Sequence, residues 1–210
     1  MKVLIINGSP RPKGNTTKLL NETKDVFASL GVEVDAYSIA GKRISGCMAC
    51  RYCHTHEGCA YHDEIDDLSK RFKEADGLVV ASPVYYASPN GTLISLLDRL
   101  FQSSRFEKRY KVGAAFAIAR RGGTTASFDV LNKYFTISGM PVASGDYWNN
   151  GFGGGAGEIA LDAEGLRNAR VVAKRMVFLM TAIAEAKKAH PELLQEEPKV
   201  ATNFIRPKGE

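Results

Sequence analysis

Lys2-Val3-Leu4-Ile5-Ile6-Asn7-Gly8-Ser9-Pro10-Arg11-Pro12-Lys13-Gly14-Asn15-Thr16-Thr17 joins an apolar run to a turn rich in Gly, Pro and Asn. Val3 to Ile6 is unbroken by polar residues, as in a central strand covered on both faces. The run stops at Asn7, and an amphipathic helical pattern begins near Thr16. A helix start offers unpaired N–H groups and a positive dipole end, so a phosphate fits there. Ser9, Arg11, Thr16 and Thr17 would meet it. The turn is not a triphosphate loop: Gly8 and Gly14 are one residue too far apart, and Asn15 stands where that motif needs lysine. Nor does it carry the Gly-x-Gly-x-x-Gly dinucleotide pattern. A monophosphate suits it better, and an ordinary strand-to-helix turn capped by Asn15 or Thr16 is the competing reading.

The chain beyond continues the alternation. A helix over Thr16 to Leu30, a strand over Val32 to Ile39, an aperiodic insertion from Gly41 to Ala60 and a helix over Asp63 to Glu74 come first. A buried strand, Gly77 to Ser82, opens into Pro83-Val84-Tyr85-Tyr86-Ala87-Ser88-Pro89-Asn90-Gly91, ahead of a helix over Thr92 to Gln102. Paired aromatics between prolines at a strand end make a stiff wall for a planar ring; the alternative is that the tyrosines pack in the core. A strand over Val112 to Ala119 runs into Arg120-Arg121-Gly122-Gly123-Thr124, followed by a helix to about Ser138. A short strand is expected near Pro141 to Ala143, then a glycine-rich loop and a long helix from Asp162 to Ala189. Gly151-Phe152-Gly153-Gly154-Gly155-Ala156 matches the dinucleotide pattern by letter but follows no first strand, so it reads as a surface loop.

This order predicts an α/β fold, a doubly wound parallel sheet with helices on both faces. Its ligand would lie beyond the carboxyl ends of the strands, where the three unusual loops meet. The reading gives one domain over 1–190, with a Cys-rich insertion at 41–62, and an extended tail over 191–210. At 210 residues, 44% apolar and net charge +5, the chain is expected to be soluble and cytoplasmic, with no membrane and no nucleic-acid partner.

Cys47, Cys50, Cys53 and Cys59 are the only cysteines and fall within thirteen residues. That density suits an iron–sulfur cluster. Zinc competes, because His54, His56 and His62 are nearby; a loop of reduced or paired thiols that binds nothing is the third reading.

Asn7-Gly8-Ser9-Pro10-Arg11, Gly14-Asn15-Thr16, Ser82-Pro83-Val84-Tyr85-Tyr86 and Leu97-Asp98-Arg99 together resemble the NADPH-dependent FMN reductase branch of the flavodoxin-like superfamily. The cysteine run resembles that of the iron–sulfur flavoproteins in this branch. The resemblance implies a five-stranded sheet in the order 2-1-3-4-5. It implies FMN with its phosphate on Ser9, Arg11, Asn15, Thr16 and Thr17, and its ring flanked by Pro83, Val84, Tyr85, Tyr86, Arg120, Arg121, Gly122 and Gly123. It further implies a [4Fe–4S] cluster on the four cysteines, NAD(P)H as co-substrate and a homodimer or homotetramer. Electrons would pass to a quinone, nitro compound or flavin, or come from a ferredoxin-like partner through the cluster. The flavin does the chemistry, so no side chain is assigned a catalytic role. A module that uses FMN or a metal only structurally is the remaining alternative.

Overall fold

A computed structural model describes residues 1–198 and 200–201. Five parallel strands form its sheet: β1 (Lys2–Asn7), β2 (Glu33–Ser38), β3 (Gly77–Tyr85), β5 (Val112–Ala119) and β6 (Asn150–Phe152). β4 (Ser88–Pro89) is a two-residue ladder antiparallel to the end of β3. The sheet order is β2-β1-β3-β5-β6, which is the expected 2-1-3-4-5 order once β4 is set aside.

Alternation along the strands sorts the core into two layers. Val3, Ile5, Val79, Ala81, Phe116 and Ile118 face α1 (Asn15–Ser29) and α6 (Ala163–Ala189). Leu4, Ile6, Leu78, Val80 and Ala115 face the other way, toward α3 (Glu64–Glu74), α4 (Gly91–Ser103) and α5 (Thr124–Ile137). Every side chain from Val3 to Ile6 is therefore buried, and the unbroken apolar run follows from burial on both faces.

One strand lies elsewhere than expected. Val142 contributes only an isolated bridge to Gly113. The fifth strand is Asn150–Phe152, inside the stretch read as a glycine-rich loop, where it pairs with Ala117 to Ala119. Its short length and its Asn-Gly-Phe sequence hid it from any period-2 pattern. The insertion over 41–60 has little regular structure beyond the short helix α2 (Tyr52–Thr55). In the tail, Pro191–Leu194 forms a 3-10 turn and Glu196 pairs with Arg109; residue 199 and residues 202–210 lie outside the described residues. Among the described residues, no helix is long and apolar enough to cross a membrane.

Candidate functional site

The loop after β1 is shaped by its own side chains. The Gly8 amide donates to the Ala81 carbonyl at 2.7 Å. A Cβ at Gly8 would lie 2.4 Å from Leu93 Cδ2, so only glycine lets the loop press onto β3 and α4. Asn7 Oδ1 accepts from the Ser9 amide at 3.0 Å, and Asn7 Nδ2 donates to Thr17 Oγ1 at 2.9 Å. Thr17 Oγ1 donates onward to the Pro12 carbonyl, and Ser9 Oγ bridges the amide and carbonyl of Arg11. These bonds leave the helix start open. Gly14, in extended backbone, is the N-cap of α1 and supplies no side-chain acceptor. The amides of Asn15, Thr16 and Thr17 therefore have no partner among the described residues. Thr16 is buried beside them, and Arg11 is exposed with no ion pair among the described residues. The arrangement can receive an anion.

Asn15 does something the sequence did not indicate. Its Nδ2 donates to the carbonyls of Gly153 and Gly155, both at 2.9 Å, and its Oδ1 accepts from the amides of Gly157 and Ile159. The side-chain amide is thus fully used in docking the turn after β6 onto the start of α1. Within that turn, the Glu158 carboxylate accepts from the Gly154 and Gly155 amides. Those two N–H groups, with the Arg120 charge nearby, hold its carboxyl below the usual carboxylate range. The tract from Gly151 to Ala156 is accordingly a strand end and an anchored turn, not a free surface loop.

The wall after β3 is a hairpin. Tyr85 pairs with Ser88, and Tyr86 and Ala87 form the turn with φ of 51° and 58°. A two-residue turn that follows strand twist needs left-handed backbone at both positions. Neither residue is glycine, so the turn stores strain of order 1 kcal/mol per residue. Neither tyrosine packs in the core: Tyr86 is fully exposed and Tyr85 is 43% exposed. Pro83 and Val84 are half-buried. Ser82 Oγ fixes the base of the hairpin, accepting from the Asn90 amide and donating to the Pro83 carbonyl. Opposite, Arg120, Arg121 and Gly122 are exposed, and Gly123 has φ of 87° as the N-cap of α5, again without a side-chain acceptor. A Cβ on Gly123 would stand 2.8 Å from Ala87 Cα and 3.0 Å from Val84 Cγ1. The loops over 83–89 and 120–123 are therefore in contact, and the loop at Arg120 reaches the turn that Asn15 anchors.

The four thiols are free, with Cys47 and Cys50 exposed and Cys53 and Cys59 half-buried. They line one cavity of about 570 Å³ together with Arg99, Tyr61 and Tyr134. Burial, with a smaller effect of the three neighbouring thiols, pushes the Cys53 thiol up. Among the described residues, no three His, Cys, Asp or Glu side chains converge in metal-holding geometry. His54 lines the cavity and contacts Gln102 at 3.0 Å; His56 stacks on Tyr52 and His62 lies 3.9 Å from Asp66.

Arg99 is a site residue that the sequence marked only as part of a resemblance. Its side chain is 1% exposed. Nη1 and Nη2 donate to the Asp63 carboxylate at 2.8 and 2.7 Å, and Nε and Nη2 point at Cys59 Sγ at 3.4 and 3.3 Å. The Tyr61 ring covers the guanidinium at 4.4 Å. Burial alone would raise the Asp63 carboxyl, but the Arg99 donors and the Ile65 amide outweigh it and hold the group below the usual range. Eight helical residues separate Arg99 from the start of α4, about 12 Å along the axis, and α4 starts where the tyrosine hairpin ends.

The description "NADPH-dependent FMN reductase" belongs to a family model that matches residues 1–154. An iron–sulfur flavoprotein of Methanocaldococcus jannaschii is 35% identical over 195 residues, 87% of this chain and 99% of that one. Another, from Methanosarcina thermophila, is 34% identical over 73% of this chain and 81% of its own length. Among solved structures, an archaeal flavodoxin superposes with a TM-score of 0.55 at 17% identity, covering 84% of this chain and 99% of its own, a likeness of fold alone. With its open helix start, its paired loops and this match over most of its length, the chain belongs to the NADPH-dependent FMN reductase family of flavin oxidoreductases.

Proposed function

We propose that this protein passes electrons from NAD(P)H through bound FMN to a small-molecule acceptor such as a quinone, a nitro compound or a free flavin. The observation that carries this reading is the combination of an uncapped α1 start, an Arg11 with no ion pair among the described residues, and the contacting loops over 83–89 and 120–123. The residues fit FMN. The amides of Asn15, Thr16 and Thr17, with Arg11, would hold the phosphate as a dianion. Ser9 and Thr17 keep the loop in shape, and Asn15 positions the neighbouring turn. Pro83, Val84, Tyr85 and Tyr86 would present one wall to the ring, and Arg120, Arg121, Gly122 and Gly123 the other. Bound FMN supplies hydride acceptance and one-electron transfer. The domain that does this would span 1–190.

A second reading is favoured by the cysteine cavity. Four free thiols line one cavity beside a buried cation, the donor set that a thiolate-ligated iron–sulfur cluster would take, although no three of them are gathered around one metal-ion position among the described residues. Cys47, Cys50, Cys53 and Cys59 would be its ligands, and the protein would then relay electrons from a ferredoxin-like partner to FMN. The names of the two archaeal relatives support this reading.

An anaerobic absorbance spectrum with iron and sulfide analysis, followed by NADPH addition, separates the two. Flavin bands bleached quickly by NADPH support the reductase. Flavin bands overlaid by broad iron–sulfur absorption, with slow or no bleaching, support the relay. Absence of any flavin after FMN is supplied contradicts both.

A further inference from the structure

The buried face of α4 is built from Leu93, Leu96, Leu97 and Leu100, and Arg99 is buried with them. A charge in such a position costs several kcal/mol unless it is paired. Asp63 supplies the pair, and it is itself fixed as the N-cap of α3, accepting from the Ile65 amide at 3.1 Å. Pairing does not account for the whole geometry. Two guanidinium N–H groups are directed at Cys59 Sγ, and a neutral thiol is a weak acceptor, whereas an anionic sulfur is a strong one. The Cys59 backbone is held as well, its amide donating to Asp66 Oδ1 at 2.8 Å. Among the described residues, no comparable guanidinium contact reaches the sulfur of Cys47, Cys50 or Cys53.

We propose that Arg99 is a positioning residue that sets the reduction potential of the centre held by the four cysteines. It stabilises the anionic Cys59 sulfur with two N–H donors and offsets the negative charge that one added electron brings. Hydrogen bonds to ligating sulfurs and nearby positive charge both raise the potential of such centres. The proposal rests on the reading that the cysteines ligate an iron–sulfur centre. In the redox step one electron enters from a reductant and leaves to an oxidant, and Arg99 makes and breaks no covalent bond.

The test compares full-length wild type with Arg99→Gln and Arg99→Lys after anaerobic reconstitution with iron and sulfide. Iron and sulfide content, FMN affinity as a check on folding, and the midpoint potential in a mediated dithionite titration are measured. Arg99→Gln is expected to bind FMN within twofold of wild type, yet to be at least tenfold harder to reduce at a fixed potential, a drop of 59 mV for a one-electron couple. Arg99→Lys, which keeps the charge and loses the paired donors, is expected to fall between the two. If Arg99→Gln takes up no iron, the titration of Arg99→Lys decides, with the same sign of shift expected. A fully loaded variant with the wild-type potential overturns the role of Arg99 alone. A wild type that takes up no iron overturns the cluster reading beneath it.

Discussion

Asn15 Nδ2 donates to the carbonyl oxygen of Gly155 at 2.9 Å, joining the start of α1 to a turn 140 residues away in sequence. Three further bonds from the same side chain make this a staple between the first and last strand ends of the site. Asn15→Ala leaves two amides and two carbonyls to find other partners. The expected loss is about 1–2 kcal/mol of stability, with FMN affinity down about tenfold, measured by urea unfolding and fluorescence titration. An unchanged unfolding midpoint would show that the staple carries no weight.

Arg11 is exposed in the loop that leads into α1 and has no ion pair among the described residues. If Arg11 contacts the FMN phosphate as proposed, Arg11→Ala removes a charge-assisted contact of roughly 1.5–3 kcal/mol, and FMN affinity should drop by about one to two orders of magnitude. Riboflavin, which has no phosphate, should bind both proteins alike. Equal losses for the two ligands would place Arg11 away from the phosphate.

At Gly123 the backbone is left-handed and a Cβ has no room against Ala87. Gly123→Ala is expected to destabilise the fold by about 2 kcal/mol or more. Ala87→Gly, which relaxes a left-handed alanine, should raise the melting temperature by a few degrees, the equivalent of about 0.5–1 kcal/mol. Thermal melts of the two variants should move in opposite directions; movement in the same direction contradicts the hairpin geometry.

Asp35 receives two bonds from the Arg71 guanidinium, which hold its carboxyl below the ordinary value of 3.8. A depressed carboxyl stabilises the fold above its unfolded value, and that stability is lost as pH falls through the folded one. Asp35→Asn should therefore cost about 1 kcal/mol at neutral pH, and the gap to wild type should close below about pH 4. Denaturant melts across this range that show the gap widening in acid would reverse the assignment.

The sheet was legible because burial on both faces leaves a direct mark, as in Val3 to Ile6, and the three loops were legible from their Gly, Pro and aromatic content. The fifth strand was not. Asn150–Phe152 is three residues long, and Phe152 is held by a bond from its amide to Asp162 Oδ2 rather than by an apolar pattern. Nothing in the sequence signals the bonds from the Asn15 side chain to the turn after β6, because its partners lie at the far end of the chain. Arg99 carried one usable signal, a charge three residues after Leu96 and one before Leu100 on an otherwise leucine-lined face. Its partners Cys59 and Asp63 belong to the aperiodic insertion and the helix start after it, where no spacing rule points to them.

The uncapped start of α1 is proposed to hold the phosphate of FMN. Parallel titrations of the flavin-free protein with FMN and with riboflavin test it most directly. FMN is expected to bind at least 100-fold tighter, the equivalent of two charge-assisted contacts at roughly 1.5 kcal/mol each, with the difference shrinking in Arg11→Ala. Equal affinity for the two flavins would contradict it.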